Sequence, residues 1–352
     1  MIRRVLLVVA APVVAFLAVG PVVDRLARRL MAAPRRLPEE SGMAPALDRL
    51  GGEVVRLRSR DGVRLTGRWL AAEPEPGPVA VPLAAAGTVA GDDGGVARDP
   101  VEAAWAVDPR EAILLLHGWS GSVTPDLVEY GPFLRRTAGV LGLDFRGHGG
   151  SDDGPTTFGL LEVEDVAGAL AWLGERGIRR VALVGSSMGG ITAIAAVAVL
   201  GDGRLAAADR DIHAPAAAVD APRPRICAVV ADSVAPELAV PVASRLRVPF
   251  GRRIAGHAFE RMARHVGGDP RATQPIDVIG LLEDVPLLLV HGSADRTLPL
   301  RDAQRLADAA PPGSRHLVVE GADHGRAHAV DPVRYEAEAT SLIREAFRGA
   351  RP

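Results

Sequence analysis

The chain has 352 residues and a mass of 36.8 kDa, with 48% hydrophobic and 24% charged residues, enough apolar matter for one large domain or two ordinary ones. A net charge of −2 and a pI near 6.5 exclude the basic footprint of a nucleic-acid binder. The single cysteine, Cys227, excludes an intrachain disulfide, and within Ile226-Cys227-Ala228-Val229-Val230 it reads as core filler.

The N-terminus reads Met1-Ile2-Arg3-Arg4, followed by a stretch from Val5 to Val23 without a charge. A run of about nineteen residues is long enough for a helix to cross the hydrocarbon core of a bilayer. A cleaved signal peptide competes with this reading, but its small-residue site Ala18-Val19-Gly20 is followed at once by Pro21. We therefore expect an uncleaved transmembrane anchor over 1–24, with the lipid bilayer as its partner. Arg25, Arg28, Arg29, Arg35 and Arg36 downstream outnumber Arg3 and Arg4 upstream, which tips the positive-inside rule toward a cytoplasmic body. Residues 25–52 read as a juxtamembrane linker.

From residue 53 onward the pattern is that of a folded domain. Glu53–Arg58 and Val63–Leu70 alternate apolar and polar around Asp61-Gly62, which predicts a β-hairpin. Residues 74–110 are rich in Pro, Gly, Ala and Asp without a sustained period and read as an inserted loop. Short continuous apolar runs follow at Ile113–Leu116, Gly139–Leu143, Val181–Val184, Ile226–Val230, Pro286–Val290 and His316–Val319. Such runs suit strands buried on both faces. Helix-period segments lie between them at Asp126–Thr137, Leu160–Arg176, Ile191–Leu200 and Arg301–Ala310. The alternation predicts a mostly parallel central sheet with helices on both faces, and ligands at the carboxyl ends of its strands. A second insertion spans 201–225. Residues 234–283, hanging from a strand end and carrying Arg-rich helical stretches, are expected to form a small lid.

The most informative stretch is Val181 to Ala193, where an apolar strand breaks at Gly185-Ser186-Ser187-Met188-Gly189 into an Ala/Ile-rich helix. Gly-x-Ser-x-Gly at such a junction is the pattern of a nucleophile elbow, with Ser187 at its tip. A phosphate-binding loop needs lysine where Ile191 stands, and the chain contains none. A dinucleotide fingerprint needs glycine where Ser187 stands.

A serine hydroxyl needs a base within reach and a third group to orient that base. Among the nine histidines, His324 lies in a loop directly after the last strand and is preferred as general base over His328. The spacing of the two is that of a zinc pair, but Gly325 stands where a metalloprotease has glutamate, so no metal is expected. Asp295, in the loop after the preceding strand, is the candidate acid, with Asp232 as its competitor; Asp323 is too near His324 along the chain to orient it. The order Ser187, Asp295, His324 is the one expected on a sheet of this kind. Two backbone amides should stabilise an oxyanion, that of Met188 and that of Trp119 in Leu116-His117-Gly118-Trp119.

With these motifs in place, and with Asp144-Phe-Arg-Gly-His-Gly149 and Gly321-Ala-Asp-His324, residues 53–352 resemble an α/β-hydrolase. The Asp61-Gly62 hairpin and Asp331-Pro-Val-Arg-Tyr335 resemble a bacterial subgroup with a membrane helix and a small lid, of the serine-aminopeptidase-like or esterase type. The resemblance implies a serine hydrolase that cleaves a small acyl-containing substrate without a cofactor. Peptidase and thioesterase activities are open on the same triad. A non-catalytic binding module at the membrane is the reading of a different class.

Overall fold

A computed structural model describes residues 20–32, 38–73, 107–119, 121–201 and 223–349. Eight strands form one sheet: β1 (Glu53–Arg58), β2 (Arg64–Leu70), β3 (Glu111–Leu116), β4 (Gly139–Asp144), β5 (Arg180–Ser186), β6 (Arg225–Asp232), β7 (Leu287–Gly292) and β8 (Arg315–Val319). Their order across the sheet is β1-β2-β4-β3-β5-β6-β7-β8. The hairpin β1–β2 and the β2–β4 pair are antiparallel, and every other pair is parallel. The central runs are apolar throughout because both faces are covered. Along β3, Leu114 and Leu116 enter one core while Ile113 and Leu115 enter the other.

On the first face lie α4 (Glu162–Glu175) and α5 (Met188–Leu200), through Val166, Leu170, Ile191 and Ile194. On the second lie α3 (Thr124–Leu134) and α11 (Pro332–Gly349), through Leu127, Tyr130, Tyr335 and Ile343. The lid expected over 234–283 contains α6 (Ala239–Leu246), α7 (Gly251–Val266) and α8 (Pro275–Val278), with two 3-10 turns. Two short elements complete the second half, α9 (Leu300–Ala309) and α10 (Ala327–Val330). The strand order reverses at β3, and the crevice outside β3 and β5 is where such sheets place their ligands.

The anchor expected over 1–24 lies outside the described residues except for 20–24, which open a helix, α1 (20–31). No helix among the described residues is long and apolar enough to cross a membrane. Most of both insertions, 74–106 and 202–222, also lies outside them. The segment read as linker is packed structure where it is described. In α1, Val23, Ala27 and Leu30 recur at helical spacing and are buried against the body. Trp119 Nε1–H donates to the Leu30 carbonyl at 3.2 Å, and the Thr156 N–H to that of Met31 at 3.0 Å. Asp24 pairs with Arg261 of α7 at 3.2 Å. A 3-10 turn, Pro38–Met43, then leads into α2 (Ala44–Leu50), which packs beside α3.

Candidate active site

At the tip of the β5–α5 turn, Ser187 takes φ 51° and ψ −111°. Backbone strain of this kind costs a residue with a side chain about 1–3 kcal/mol, and it persists only where neighbours impose it. They do so here. The Ser187 N–H donates to the Asp232 carbonyl at 2.8 Å, and the Ser187 carbonyl accepts from the Ile191 N–H at 2.9 Å. The flanking glycines are required sterically: a Cβ on Gly185 would stand 2.4 Å from the Gly189 carbonyl carbon, and one on Gly189 would stand 2.0 Å from the Leu116 carbonyl oxygen. Met188 is the first residue of α5, so its N–H has no partner within the helix.

His324, in the loop after β8, lies with Nε2 3.0 Å from Ser187 Oγ and Nδ1 2.7 Å from Asp295 Oδ2. The second oxygen of Asp295 accepts the N–H groups of Thr297 at 2.8 Å and Leu298 at 2.7 Å. The loop after β7 thus fixes a buried carboxylate with both oxygens in use. His291, at the end of β7, closes the same loop through its Nε2, 3.1 Å from the Leu298 carbonyl.

The competitor Asp232 ends β6. Its Oδ1 accepts from Ser233 Oγ at 2.8 Å, and its Oδ2 is buried without a partner. Burial pushes this carboxyl up to about 6. Of the two acids, the imidazole is hydrogen-bonded to Asp295.

Asp323 does not orient the ring, but it holds the loop that carries it. Its Oδ1 accepts from the His324 N–H at 2.8 Å and the Arg296 N–H at 3.0 Å, while its Oδ2 takes the Arg296 guanidinium. These bonds keep its carboxyl well below the usual range and join the acid loop to the histidine loop. Ser233 Oγ adds a second tether by accepting from the Gly325 N–H at 2.9 Å.

His328 is turned away from Ser187. Its nitrogens lie 3.1 Å from Glu129 and 3.1 Å from Glu336, and its ring stacks on Phe133. Burial disfavours the imidazolium there, but the two glutamates outweigh it and raise the pKa.

His117, beside the loop that carries Trp119, is structural. Its Nδ1 lies 2.7 Å from the Gly118 carbonyl, and its Nε2 accepts from the Phe145 N–H at 3.1 Å. Burial, helped by His148, pushes it down to about 3, so the ring is neutral at physiological pH. Nδ1 therefore donates, and the ring pins the loop after β3 to the end of β4.

Ser187 and His324 open into a cleft of about 480 Å³ that Trp119 and Met188 also line. One wall comes from the lid, through Leu238, Val242, Arg245 and Leu246 of the α6 region. Leu26, Arg29 and Leu30 of α1 also line it. Glu40 reaches it from the 3-10 turn and accepts from both the N–H and the Oγ–H of Ser122, at 3.0 and 2.7 Å. Sequence reasoning missed the contributions of α1, Glu40, Ser233 and Asp323. Only Asp323 carried a signal, its place beside His324, and it was weighed only as the orienting acid, a role that its closeness along the chain argues against.

A mostly parallel α/β sheet with a serine at the turn after β5, an aspartate in the loop after β7 and a histidine in the loop after β8 defines the class. The model of the Alpha/beta hydrolase family matches residues 113–338. The chain belongs to that family. Its fold is similar to an esterase of Pyrococcus furiosus, Pf2001, with a TM-score of 0.56 and 18% identity over 89% of this chain and 98% of that one. An alpha-beta hydrolase from Vibrio vulnificus gives a TM-score of 0.58 and 17% identity over 92% and 94% of the two chains. A thermophilic esterase from Thermogutta terrifontis gives 0.50 and 16% over 84% and 99%.

Proposed function

We propose that the protein is a serine hydrolase that cleaves a carboxylic ester through an acyl-enzyme on Ser187. One observation carries this reading, the continuous hydrogen-bonded line Ser187–His324–Asp295 at 3.0 and 2.7 Å, opening into a cleft. With the Nδ1 proton shared toward Asp295, Nε2 is free to accept from Ser187 Oγ. Oγ attacks the acyl carbon as its proton passes to Nε2; Asp295 stabilises the resulting imidazolium. The amides of Met188 and Trp119 receive the oxyanion. Collapse of the intermediate breaks the bond to the alcohol, which leaves with the Nε2 proton. Water then repeats the sequence, giving its proton to Nε2, and the acid is released with Ser187 restored. An ester, rather than a peptide or a thioester, is the substrate also suggested by the two esterases among the structures of similar fold.

A fluorophosphonate probe tests the assignment. It is expected to label the native chain once, at Ser187, and to leave folded Ser187→Ala unlabelled. Labelling of both to the same extent would rule the nucleophile out.

The uncharged run Val5–Val23 and the arginines after it support a second part of the reading. The part of this run that precedes α1 anchors the protein in a membrane, and α1 leads from it onto a body on the cytoplasmic side. A reporter fused at the C-terminus should fluoresce or react only on the cytoplasmic face; activity on the opposite face overturns the orientation.

A further inference from the structure

The cleft at Ser187 is apolar on most of its surface, yet two arginines line it. Leu26 and Leu30 of α1, Phe158, Ile191, Leu238 and Leu246 supply apolar lining. Arg29 comes from α1 and Arg245 from the lid helix α6, and both are solvent-exposed. Three arginines of the neighbouring elements α7 and α9 are paired. Arg252 and Arg305 are spent on Glu237 and Asp302, and Arg261 is spent on Asp24. Arg29 and Arg245 have no carboxylate within ion-pair distance and no hydrogen-bonded acceptor among the described residues.

The carboxyl groups that share the lining do not compensate them. Glu40 is buried and gives both oxygens to Ser122. Burial together with Glu129 pushes the Asp126 carboxyl up to about 8, which weakens its negative charge. Partial burial in the cleft wall lowers the Arg245 pKa, and the charge of Asp295 opposes this. A guanidinium without a partner, beside apolar surface, favours an anionic oxygen, which it can bind bidentately.

We infer that the cleft selects an ester that joins an apolar acyl chain to an anionic alcohol portion, held at Arg29 and Arg245. The inference rests on the proposed serine hydrolase and names its substrate class. The acyl chain lies against Leu26, Leu30 and Phe158, and the carboxylate or phosphate of the alcohol stays at the water-facing mouth. The two arginines come from different elements, Arg29 from α1 and Arg245 from α6 of the lid, so an anion held by both bridges two walls of the cleft.

A matched pair of esters tests this with the full chain: 3-(octanoyloxy)benzoate, and its neutral counterpart 3-(octanoyloxy)benzamide. The native protein should hydrolyse the benzoate with a kcat/KM at least about tenfold above that of the benzamide, and the preference should fall as salt is added. The ratio should drop in Arg29→Gln and in Arg245→Gln and approach one in the double variant. The doubly conservative Arg29→Lys, Arg245→Lys protein keeps the charge and should retain part of it. Equal hydrolysis of the two esters by the native protein overturns the inference, as does a preference that survives in the double glutamine variant. If Ser187 takes the fluorophosphonate and the esters are cleaved equally, only the inference fails. If neither ester is cleaved and Ser187 is not labelled, the hydrolase reading falls with it.

Discussion

Replacement of Asp295 by asparagine is expected to lower kcat for a p-nitrophenyl ester about 10⁴-fold, with little change in KM. The amide keeps the shape of the carboxylate but presents an N–H where Oδ2 now meets His324 Nδ1 at 2.7 Å. The ring must then turn its proton to Nε2, where it faces Ser187 Oγ and can no longer accept. KM is spared because Asp295 sits behind the imidazole and does not line the cleft. Asp232→Asn provides the contrast. Its Oδ2 serves no partner, and kcat should stay within about tenfold of the native value. Steady-state kinetics of the two variants decides the matter: a large loss in Asp232→Asn with a small one in Asp295→Asn would transfer the role to the end of β6.

The second large effect is on stability. Arg146, in the turn after β4, is buried and binds two carboxylates at once, Asp165 of α4 and Asp61 of the β-hairpin turn, with contacts of 2.7 and 2.8 Å. Burial pushes the Asp165 carboxyl upward, and Arg146 is the group that opposes this. Arg146→Met should cost about 3–5 kcal/mol, since it strands a buried charge rather than deleting a pair. Without Arg146 the folded state holds Asp165 protonated at a pH where the unfolded chain does not. The native form of the variant is therefore favoured as pH falls toward the unfolded carboxylate pKa, and the deficit at pH 8 should narrow at pH 5. Denaturant unfolding at the two values measures it. A deficit below about 1 kcal/mol would mark the pair as a surface-like interaction.

The parts of the fold that were legible in the sequence are those where one residue type admits one geometry. Asp61-Gly62 between alternating runs became the β1–β2 hairpin, and the continuous apolar runs became β3 to β8. Gly185, Ser187 and Gly189 marked the elbow because no other residues fit its contacts. Errors arose where a residue's usual meaning was overridden by its position. Gly189 and Gly190 read as turn, and α5 was expected to start at Ile191; it starts at Met188, because close packing against β3 and β6 excludes side chains there. The helix expected from Asp126 starts at Thr124, and α2 forms inside the stretch read as linker; Pro125 and Pro45 stand in their first turns, where a missing N–H costs nothing. The helix α11 was read only as a motif at Asp331–Tyr335, although it supplies Tyr335 and Ile343 to the core. Glu40 and α1 carried no local signal at all, since their meaning lies in contacts to Ser122 and Trp119 some 80 residues away.

The position of α1 separates what this protein can change from what it must keep. The elbow and the two loops behind it are held by close backbone packing at Gly185 and Gly189 and by the side chains of Asp295, Asp323 and Ser233. Helix α1 lies before the residues that the family model matches, and it lines the cleft with Leu26, Arg29 and Leu30. Exchanging those side chains alters the shape and charge of the wall without touching the chemistry beside it. The wall of the cleft is in that sense modular: its side chains from a short N-terminal helix can be revised while the sheet and the loops at its strand ends stay as they are.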